Sequence, residues 1–250
     1  MEKAVRIPKL GWVRLAEKLR YDGKILGATV SRRADDWFIA IQVEVPDEFI
    51  PTRENQAVGI DLGINSLVTL SNGTKVKGAK AGPRYARQLK RLNQSLSRKV
   101  GAKRDEEQSR NFKKAKRKLA RLYAKIANLR ADQTHKLTAQ LVQNHTLIGI
   151  EDLNVRGMMS NHKLAGSVAD MSFYEFRRQL EYKAMAIGTQ VIVADRWFPS
   201  SKTCSVCGNI KSKEELKLST RVYACYECGF VCDRDINAAT NLMDYALKHA

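Results

Sequence analysis

A chain of 250 residues can bury one substantial core with a small satellite domain beside it, and 44% hydrophobic with 28% charged residues excludes disorder as its default state. The 44 Lys and Arg against 26 Asp and Glu leave a net charge of +18, which favours polyanionic partners because each neutralised phosphate releases counterions. The longest apolar runs, near Leu147–Ile150 and Val191–Ala194, are strand-length and too short to span a bilayer, and residues 1–21 contain no apolar stretch of signal-peptide type. No membrane partner and a cytoplasmic location are therefore expected, where the five cysteines point to metal rather than disulfides.

Taken in chain order, Val5 to Val45 reads as a small antiparallel sheet. Val13 and Leu15 alternate with polar neighbours, Lys24 to Val30 forms a second run and Trp37 to Val45 a third. Gly23, Gly27 and Asp35-Asp36 supply turns, and Pro46 and Pro51 close the sheet before a loop through Glu54. Ala57 to Ile64 is an apolar strand, and Leu67–Leu70 with Thr74–Val76 across Ser71-Asn72-Gly73 makes a hairpin. Pro83 opens a helix whose apolar positions are Tyr85, Leu89, Leu92, Leu96 and Val100. After a polar turn over 101–109, a second helix carries Phe112, Ala115, Leu119, Leu122, Ile126 and Leu129 on one face, so the two pack as a hairpin through that stripe. A further helix over Ala131–Asn144 leads to a strand over Thr146–Ile150, then a polar loop. Phe173–Ile187 is helical and ends at Gly188, Gln190–Ala194 is a buried strand, and a terminal helix runs from Asp235. Strands alternating with helices define an α/β core with a mixed sheet.

The charge is concentrated. Residues 77–136 hold 20 basic and 4 acidic side chains, whereas residues 1–56 hold 10 and 9. A short basic run is ordinarily a solvated face, but an excess of this size in one segment marks a nucleic-acid surface. Its candidate contacts are Arg84, Arg87, Lys90, Arg91, Arg98, Lys113, Lys114, Lys116, Arg117, Lys118, Arg121 and Lys125.

Cys204-Ser-Val-Cys207 and Cys225-Tyr-Glu-Cys228 are two Cys-x-x-Cys knuckles with 17 residues between them. Each presents two thiolates to one cation, and the spacer suffices for a small hairpin between the pairs, so the reading is a four-coordinate, structural zinc site. Cys232 is read as an ordinary thiol, and His135 and His162 as surface or structural residues.

Three acidic positions stand where an active site would need them. Asp61 and Glu151 terminate apolar strands, and Asp233-Arg-Asp235 begins the last helix. Clustered carboxylates suit magnesium or manganese, and two such ions support phosphodiester hydrolysis. Each acid alone is equally a turn or cap residue, and spacing does not choose between Asp233 and Asp235.

In order, Gly59-Ile-Asp61-Leu-Gly63, Glu151-Asp-Leu153, the block from Asp195-Arg-Trp-Phe-Pro-Ser-Ser-Lys-Thr to Cys204-Ser-Val-Cys207-Gly, Cys225-x-x-Cys228-Gly and Asp233-Arg-Asp235-Ile-Asn237-Ala-Ala resemble the C-terminal part of TnpB-type proteins. These are transposon-encoded and related to type V CRISPR effectors. The resemblance implies an RNase H-like (RuvC) core with an inserted zinc ribbon, preceded by a partial antiparallel β-barrel segment. It implies domains at 1–53 (barrel segment), 54–199 (nuclease core with the basic hairpin at 83–130), 200–232 (zinc ribbon) and 233–250 (the end of the core).

It further implies guide RNA and DNA as partners, a separate transposase of the same element, a prokaryotic nucleoid setting, and RNA-guided cleavage leaving a 5′-phosphate and a 3′-hydroxyl. Asp61, Glu151 and Asp235 become the metal-binding triad, with Arg234 and Asn237 supporting it from behind, and the basic helices lie along the guide–target duplex. Family members are longer, so residues 5–45 correspond to the second half of the barrel. The alternatives are a non-catalytic nucleic-acid-binding remnant and a transposase performing strand transfer.

Overall fold

The computed structural model describes residues 3–44, 56–100, 108–212, 214–217 and 219–250, which divide into two compact units, 1–50 and 51–250. In the first unit, β1 (Ala4–Ile7) pairs antiparallel with β2 (Gly11–Arg14), and β3 (Lys24–Arg33) pairs with β4 (Asp36–Glu44). The expectation of one antiparallel sheet is corrected here: these are two separate two-stranded sheets, and no closed barrel is formed among the described residues. Gly27, expected in a turn, sits inside β3 at an irregularity of pairing. The alternation of β4 holds, with Ile39, Ile41 and Val43 half-buried and their neighbours exposed, yet no described residue of this unit is fully buried. A two-stranded ribbon has too little apolar surface to enclose a core of its own. The expected closure at Pro46, Pro51 and the loop through Glu54 lie outside the described residues.

The second unit is built on a five-stranded sheet. β5 (Ala57–Leu62), β6 (Val68–Leu70) and β7 (Lys75–Val76) form an antiparallel meander, and β5 then pairs in parallel with β8 (Leu147–Glu151), and β8 with β9 (Gln190–Ala194). The sheet order is β7-β6-β5-β8-β9. Strand alternation sends Val58, Ile60 and Leu62 of β5, with Ile148 and Ile150 of β8, to one face. There they join Leu137, Leu141, Val142, Phe173, Phe176 and Leu180 in the main core. Those helical residues come from α2 (Arg110–Asn144) and α5 (Phe173–Ile187).

Gly59, Asp61, Gly149 and Glu151 alternate to the opposite face. The last helix, α6 (Arg234–His249), lies directly on that face. Gly59 and Gly149 are paired across β5 and β8, and each admits the helix backbone. A Cβ at Gly59 would stand 1.8 Å from the Ala239 carbonyl oxygen, and one at Gly149 2.1 Å from that of Leu242. Only a residue without a side chain permits so close an approach.

The basic segment forms α1 (Ala81–Ser97) against the first half of α2. The expected stripe is their shared core, in which Leu122 and Ile126 meet Tyr85, Leu89 and Leu92. α1 begins two residues before Pro83, within the first turn where a missing N–H costs nothing, and it ends before Val100, which is exposed. Of the turn expected over 101–109, residues 101–107 lie outside the described residues. The helix break expected near residue 130 is absent: α2 is continuous for 35 residues, capped by the Ser109 hydroxyl, which accepts from Phe112 N. Leu129 to Gln133 are mostly good helix formers with no Gly or Pro, and tertiary contacts hold the join. Arg130 donates to buried Asp170, which also accepts from Gly82 N and so ties the base of the hairpin to the core.

The stretch read as a polar loop contains two short helices, α3 (Val155–Ser160), capped by Asn154, and α4 (Ala165–Met171). Six and seven residues are too few for periodicity to show. Among the described residues no helix is long and apolar enough to cross a membrane.

Candidate metal and nucleic-acid sites

The knuckles converge. Four sulfur atoms, those of Cys204, Cys207, Cys225 and Cys228, lie within 4.8 Å of one another. Cys204 to Cys228 is 3.7 Å and Cys207 to Cys225 is 3.6 Å. A tetrahedron with zinc–sulfur bonds of about 2.3 Å has edges of about 3.8 Å, so the donor set and its spacing fit zinc. Gly208 and Gly229, at φ 77° and 72°, turn the chain after each knuckle. β10 (Val222–Ala224) and β11 (Val231–Asp233) form the hairpin that carries the second pair, around fully buried Tyr223. The backbone N–H of Cys228 draws the Cys225 thiol down to about 6. At Cys207 the Asn209 N–H acts in the same sense, but burial and the surrounding sulfurs push it up to about 12. Cys232 stays outside the cluster and donates to the Asp233 carbonyl.

The carboxylates are placed by the glycines. Asp61 and Glu151 each follow a paired glycine by two residues, so both emerge at the carboxyl end of neighbouring parallel strands, on the α6 face. Asp235 lies in the first turn of α6, one turn before the Ala239 carbonyl that meets Gly59. Glu151 Oε1 accepts from Leu62 N at 3.0 Å, across to the strand that bears Asp61. The Asp233 side chain accepts from Asp235 N (3.0 Å) and Ile236 N (3.2 Å) and pairs with Lys75 Nζ at 2.8 Å. Asp235 faces Arg234 at 3.6 Å and Arg221, from the cysteine-bearing segment, at 3.7 Å.

The three acids repel one another. Burial, then the charges of Glu151 and Asp235, raise Asp61 well above the usual carboxylate range. Burial raises Glu151 to about 7, helped by Asp235 and opposed by the Leu62 N–H. Asp233 goes the other way: burial would raise it, but Lys75 and the helix N–H groups hold it low. The three acids do not form a cluster as tight as the cysteines, which alone among the described residues meet within a single ion's reach. Two ions about 4 Å apart would need a wider set of ligands.

This electrostatic conflict has a consequence for stability. A carboxyl whose folded pKa is raised favours the fold while protonated, and that contribution is lost as pH rises from its unfolded value near 4.5 through about 7. With no divalent ion beyond zinc, Glu151→Gln should therefore leave stability at pH 4 nearly unchanged. At pH 8 it should raise it by about 3 kcal/mol, roughly 6–12 °C in Tm. Calorimetry at the two pH values checks this, and equal shifts at both would contradict it.

Arg234 contacts Asp235, whereas the Asn237 side chain is bonded to the first cysteine knuckle. It accepts from Ser205 N and donates to the Thr203 carbonyl, and Asn241 donates to Ser200 and Thr203, so both asparagines bind α6 to the first cysteine knuckle. Sequence reasoning missed Gly59 and Gly149 as the residues that seat α6. Their signal was present as a glycine two positions before each acid inside an otherwise Val- and Ile-rich strand. Lys75 and Arg221 carried no local signal. All twelve basic candidates on α1, α2 and the residue following α1 are exposed, and so are His135 and His162.

An α/β protein with a carboxylate group at the carboxyl ends of paired parallel strands and a four-cysteine zinc-type site is thus defined. Residues 40–162 match the OrfB_IS605 family, described as probable transposase, and residues 173–242 match the Cas12f1-like TNB domain. The chain belongs to the TnpB-type proteins. It is 44% identical over 217 residues to "Putative RNA-guided DNA endonuclease" of Streptomyces pristinaespiralis, covering 86% of this chain and 51% of that protein. It is 34% identical over 259 residues to "Putative RNA-guided DNA endonuclease InsQ" of Escherichia coli K12, covering 98% of this chain and 62% of that protein. The chain therefore spans between half and two-thirds of the length of these relatives. In fold it is similar to a CRISPR-Cas12f ternary complex protein, with a TM-score of 0.55 at 18% identity over 83% of this chain and 42% of that one. A Cas12f1 protein solved with guide RNA and target DNA gives a TM-score of 0.51 at 18% identity, over 86% and 55%.

Proposed function

We propose that this chain forms the nuclease part of a transposon-encoded, RNA-guided DNA endonuclease that hydrolyses phosphodiester bonds at Asp61, Glu151 and Asp235. The observation that carries this is the placement of Asp61 and Glu151 side by side, two residues beyond the paired glycines that seat the helix bearing Asp235. A meander of three antiparallel strands followed by two parallel ones, in the order β7-β6-β5-β8-β9, supports the RNase H-like (RuvC) reading of residues 54–199 and 233–250. Residues 200–232 would then be an inserted zinc ribbon, and 1–53 a barrel segment.

Magnesium or manganese, when bound, supplies activation of water and neutralisation of the departing oxygen. The chain's own residues prepare for that charge. Asp61 and Glu151 are held where their negative charge is costly, so a divalent cation is the partner that relieves it. The Leu62 N–H holds one Glu151 oxygen and leaves the other for a ligand role. Asp233 is committed to capping α6 and to Lys75, which supports Asp235 as the third acid. Zinc would be structural, its four cysteines leaving no open position. The exposed basic faces of α1 and α2 would lie along a guide RNA–DNA duplex and read its backbone.

The test is cleavage of labelled single- and double-stranded DNA with magnesium or manganese, with and without co-purified RNA. Asp61→Ala and Glu151→Ala are each expected to lower the rate at least about 10³-fold, equivalent to about 4 kcal/mol of barrier. DNA binding with no cutting by the wild-type chain would leave a basic zinc-ribbon binding module in place of an enzyme.

A further inference from the structure

α6 begins where β11 ends, and Asp233 belongs to both, as the last residue of the strand and the cap of the helix. Further along, the helix is seated by the Ala239 and Leu242 carbonyls over Gly59 and Gly149. Asn237 and Asn241 fasten it to the segment of the first cysteine knuckle. Asp235 lies before all of these contacts, in the first turn, where backbone N–H groups have no partner within the helix. How it stands toward Asp61 and Glu151 therefore depends on what fixes that turn.

The sheet supplies a fixing contact from its edge. Lys75 of β7 is paired with Thr69 of β6, and Thr69 with Asp61 of β5. Residues directly opposite on neighbouring strands share a face, so Asp61, Thr69 and Lys75 form one row on the α6 side, with buried Thr69 in the middle. From the end of this row Lys75 Nζ reaches Asp233 Oδ2 at 2.8 Å. The other oxygen of that carboxylate, Oδ1, accepts from Asp235 N and Ile236 N. A carboxylate is planar, so holding one oxygen sets the direction from which the other meets the helix. The turn between β6 and β7 approaches the same place, since a Cβ on Gly73 would stand 3.9 Å from Ile236 Cδ1.

The pair gives the fold little. Both side chains are 34% exposed, and an ion pair so placed contributes weakly to stability, while Asp233 caps α6 through Oδ1 in any case. Its effect is on placement and on charge. The ammonium occupies the Asp233 oxygen that would otherwise offer a divalent ion a competing ligand two residues from Asp235. We infer that Lys75 is a positioning residue for the carboxylate site. It locks the α6 cap to the sheet row that carries Asp61, so placing Asp235, and it keeps Asp233 out of the ligand set. The inference rests on the nuclease reading for the role of Asp235, and not for the anchoring of α6.

The test compares Lys75→Met, Lys75→Arg, Asp233→Asn and the double variant Lys75→Met with Asp233→Asn, each in the zinc-loaded full chain. Asparagine keeps a capping oxygen but turns an NH2 group toward Lys75. Lys75→Met is expected to shift Tm by no more than about 2 °C, because the pair is partly exposed. It should speed amide hydrogen exchange over residues 233–238 about fivefold, as the first turn of α6 opens more often. It should also raise the manganese concentration for half-maximal DNA cleavage about tenfold and lower the maximal rate about tenfold, the cost of a misplaced ligand. Lys75→Arg should return both readouts to within about threefold of the wild type, since a guanidinium bonds the same oxygen. Asp233→Asn should reproduce Lys75→Met, and the double variant should be no worse than either, as two halves of one contact require. Unchanged exchange in Lys75→Met would overturn the inference, as would additive losses in the double variant or a fall in Tm large enough to account for the lost cleavage. Faster exchange in Lys75→Met when the wild type cuts no DNA would retain the anchor and remove the nuclease reading. Faster exchange with undiminished cleavage would retain the nuclease and overturn Lys75 as its positioning residue.

Discussion

Gly59→Ala is expected to destabilise the second unit by about 3 kcal/mol or more and to abolish cleavage, although alanine is the smallest possible change. The new methyl group would stand 1.8 Å from the Ala239 carbonyl oxygen and 2.5 Å from Met243 N, both backbone atoms of α6. No rotamer relieves such a contact, so the helix itself must lift from the sheet, and overpacking that moves backbone lies at the upper end of the usual cost. Lifting α6 moves Asp235 away from Asp61 and Glu151, so activity should fall further than stability alone would dictate. Gly149→Ala should behave alike, because its Cβ would meet the Leu242 carbonyl at 2.1 Å. Gly166→Ala is the control: nothing lies within 4 Å of its Cβ, and it sits in a helix, so it should be neutral or stabilise by up to about 1 kcal/mol. Denaturant titration followed by a cleavage assay measures both effects, and a Gly59→Ala protein as stable as the Gly166→Ala control would refute the seating of α6 on the glycines.

Removal of zinc should have a comparable reach. The segment around the cysteines has a small core, with Leu216 and Tyr223 as its buried apolar side chains beside the sulfurs. So little apolar burial cannot offset the entropy of ordering the segment, whereas structural zinc binding contributes on the order of 10 kcal/mol in small domains. Cys225→Ser or exhaustive chelation is therefore expected to unfold this segment. The effect should pass to the carboxylates, since Asn237 and Asn241 fasten α6 to Thr203 and Ser205, and Arg221 faces Asp235. One zinc per chain by elemental analysis, with tetrahedral thiolate–cobalt absorption after exchange, is the expected result for the wild type. Cys232→Ser should leave both unchanged, because that thiol lies outside the four-sulfur group. Full DNA cleavage by a chelated protein would show that the two sites are independent.

These expectations divide according to what is local. The four-cysteine cluster was legible because two Cys-x-x-Cys pairs need no tertiary information to imply a tetrahedral site. The strands around Ala57, Leu147 and Gln190 and the helix ended by Gly188 were legible because buried strands form continuous apolar runs and a left-handed glycine stops a helix. The division of α2 at residue 130 was not, since a change in composition resembles an end when the partner that holds the helix together, Asp170, lies forty residues away. Nor was the split of residues 4–44 into two hairpins: alternation predicts that strands pair but not how many share one sheet.

The amino-acid order alone determined the cation excess, its confinement to one helical hairpin, the two cysteine pairs and the short set of acids from which a site could be drawn. Only the tertiary structure decided which acids share a face. Strand alternation and the paired glycines bring Asp61 and Glu151 under the start of α6, where the charge of Asp235 acts on both, while the Asp233 side chain is engaged in capping the helix. It also redirected Asn237 from the acids to the cysteine knuckle and gathered Arg177, Arg196 and Asp152 beside Glu151. Ligand spacing within a knuckle is set by a few bonds along the chain, but the meeting of residues far apart in sequence depends on how the sheet and its helices pack.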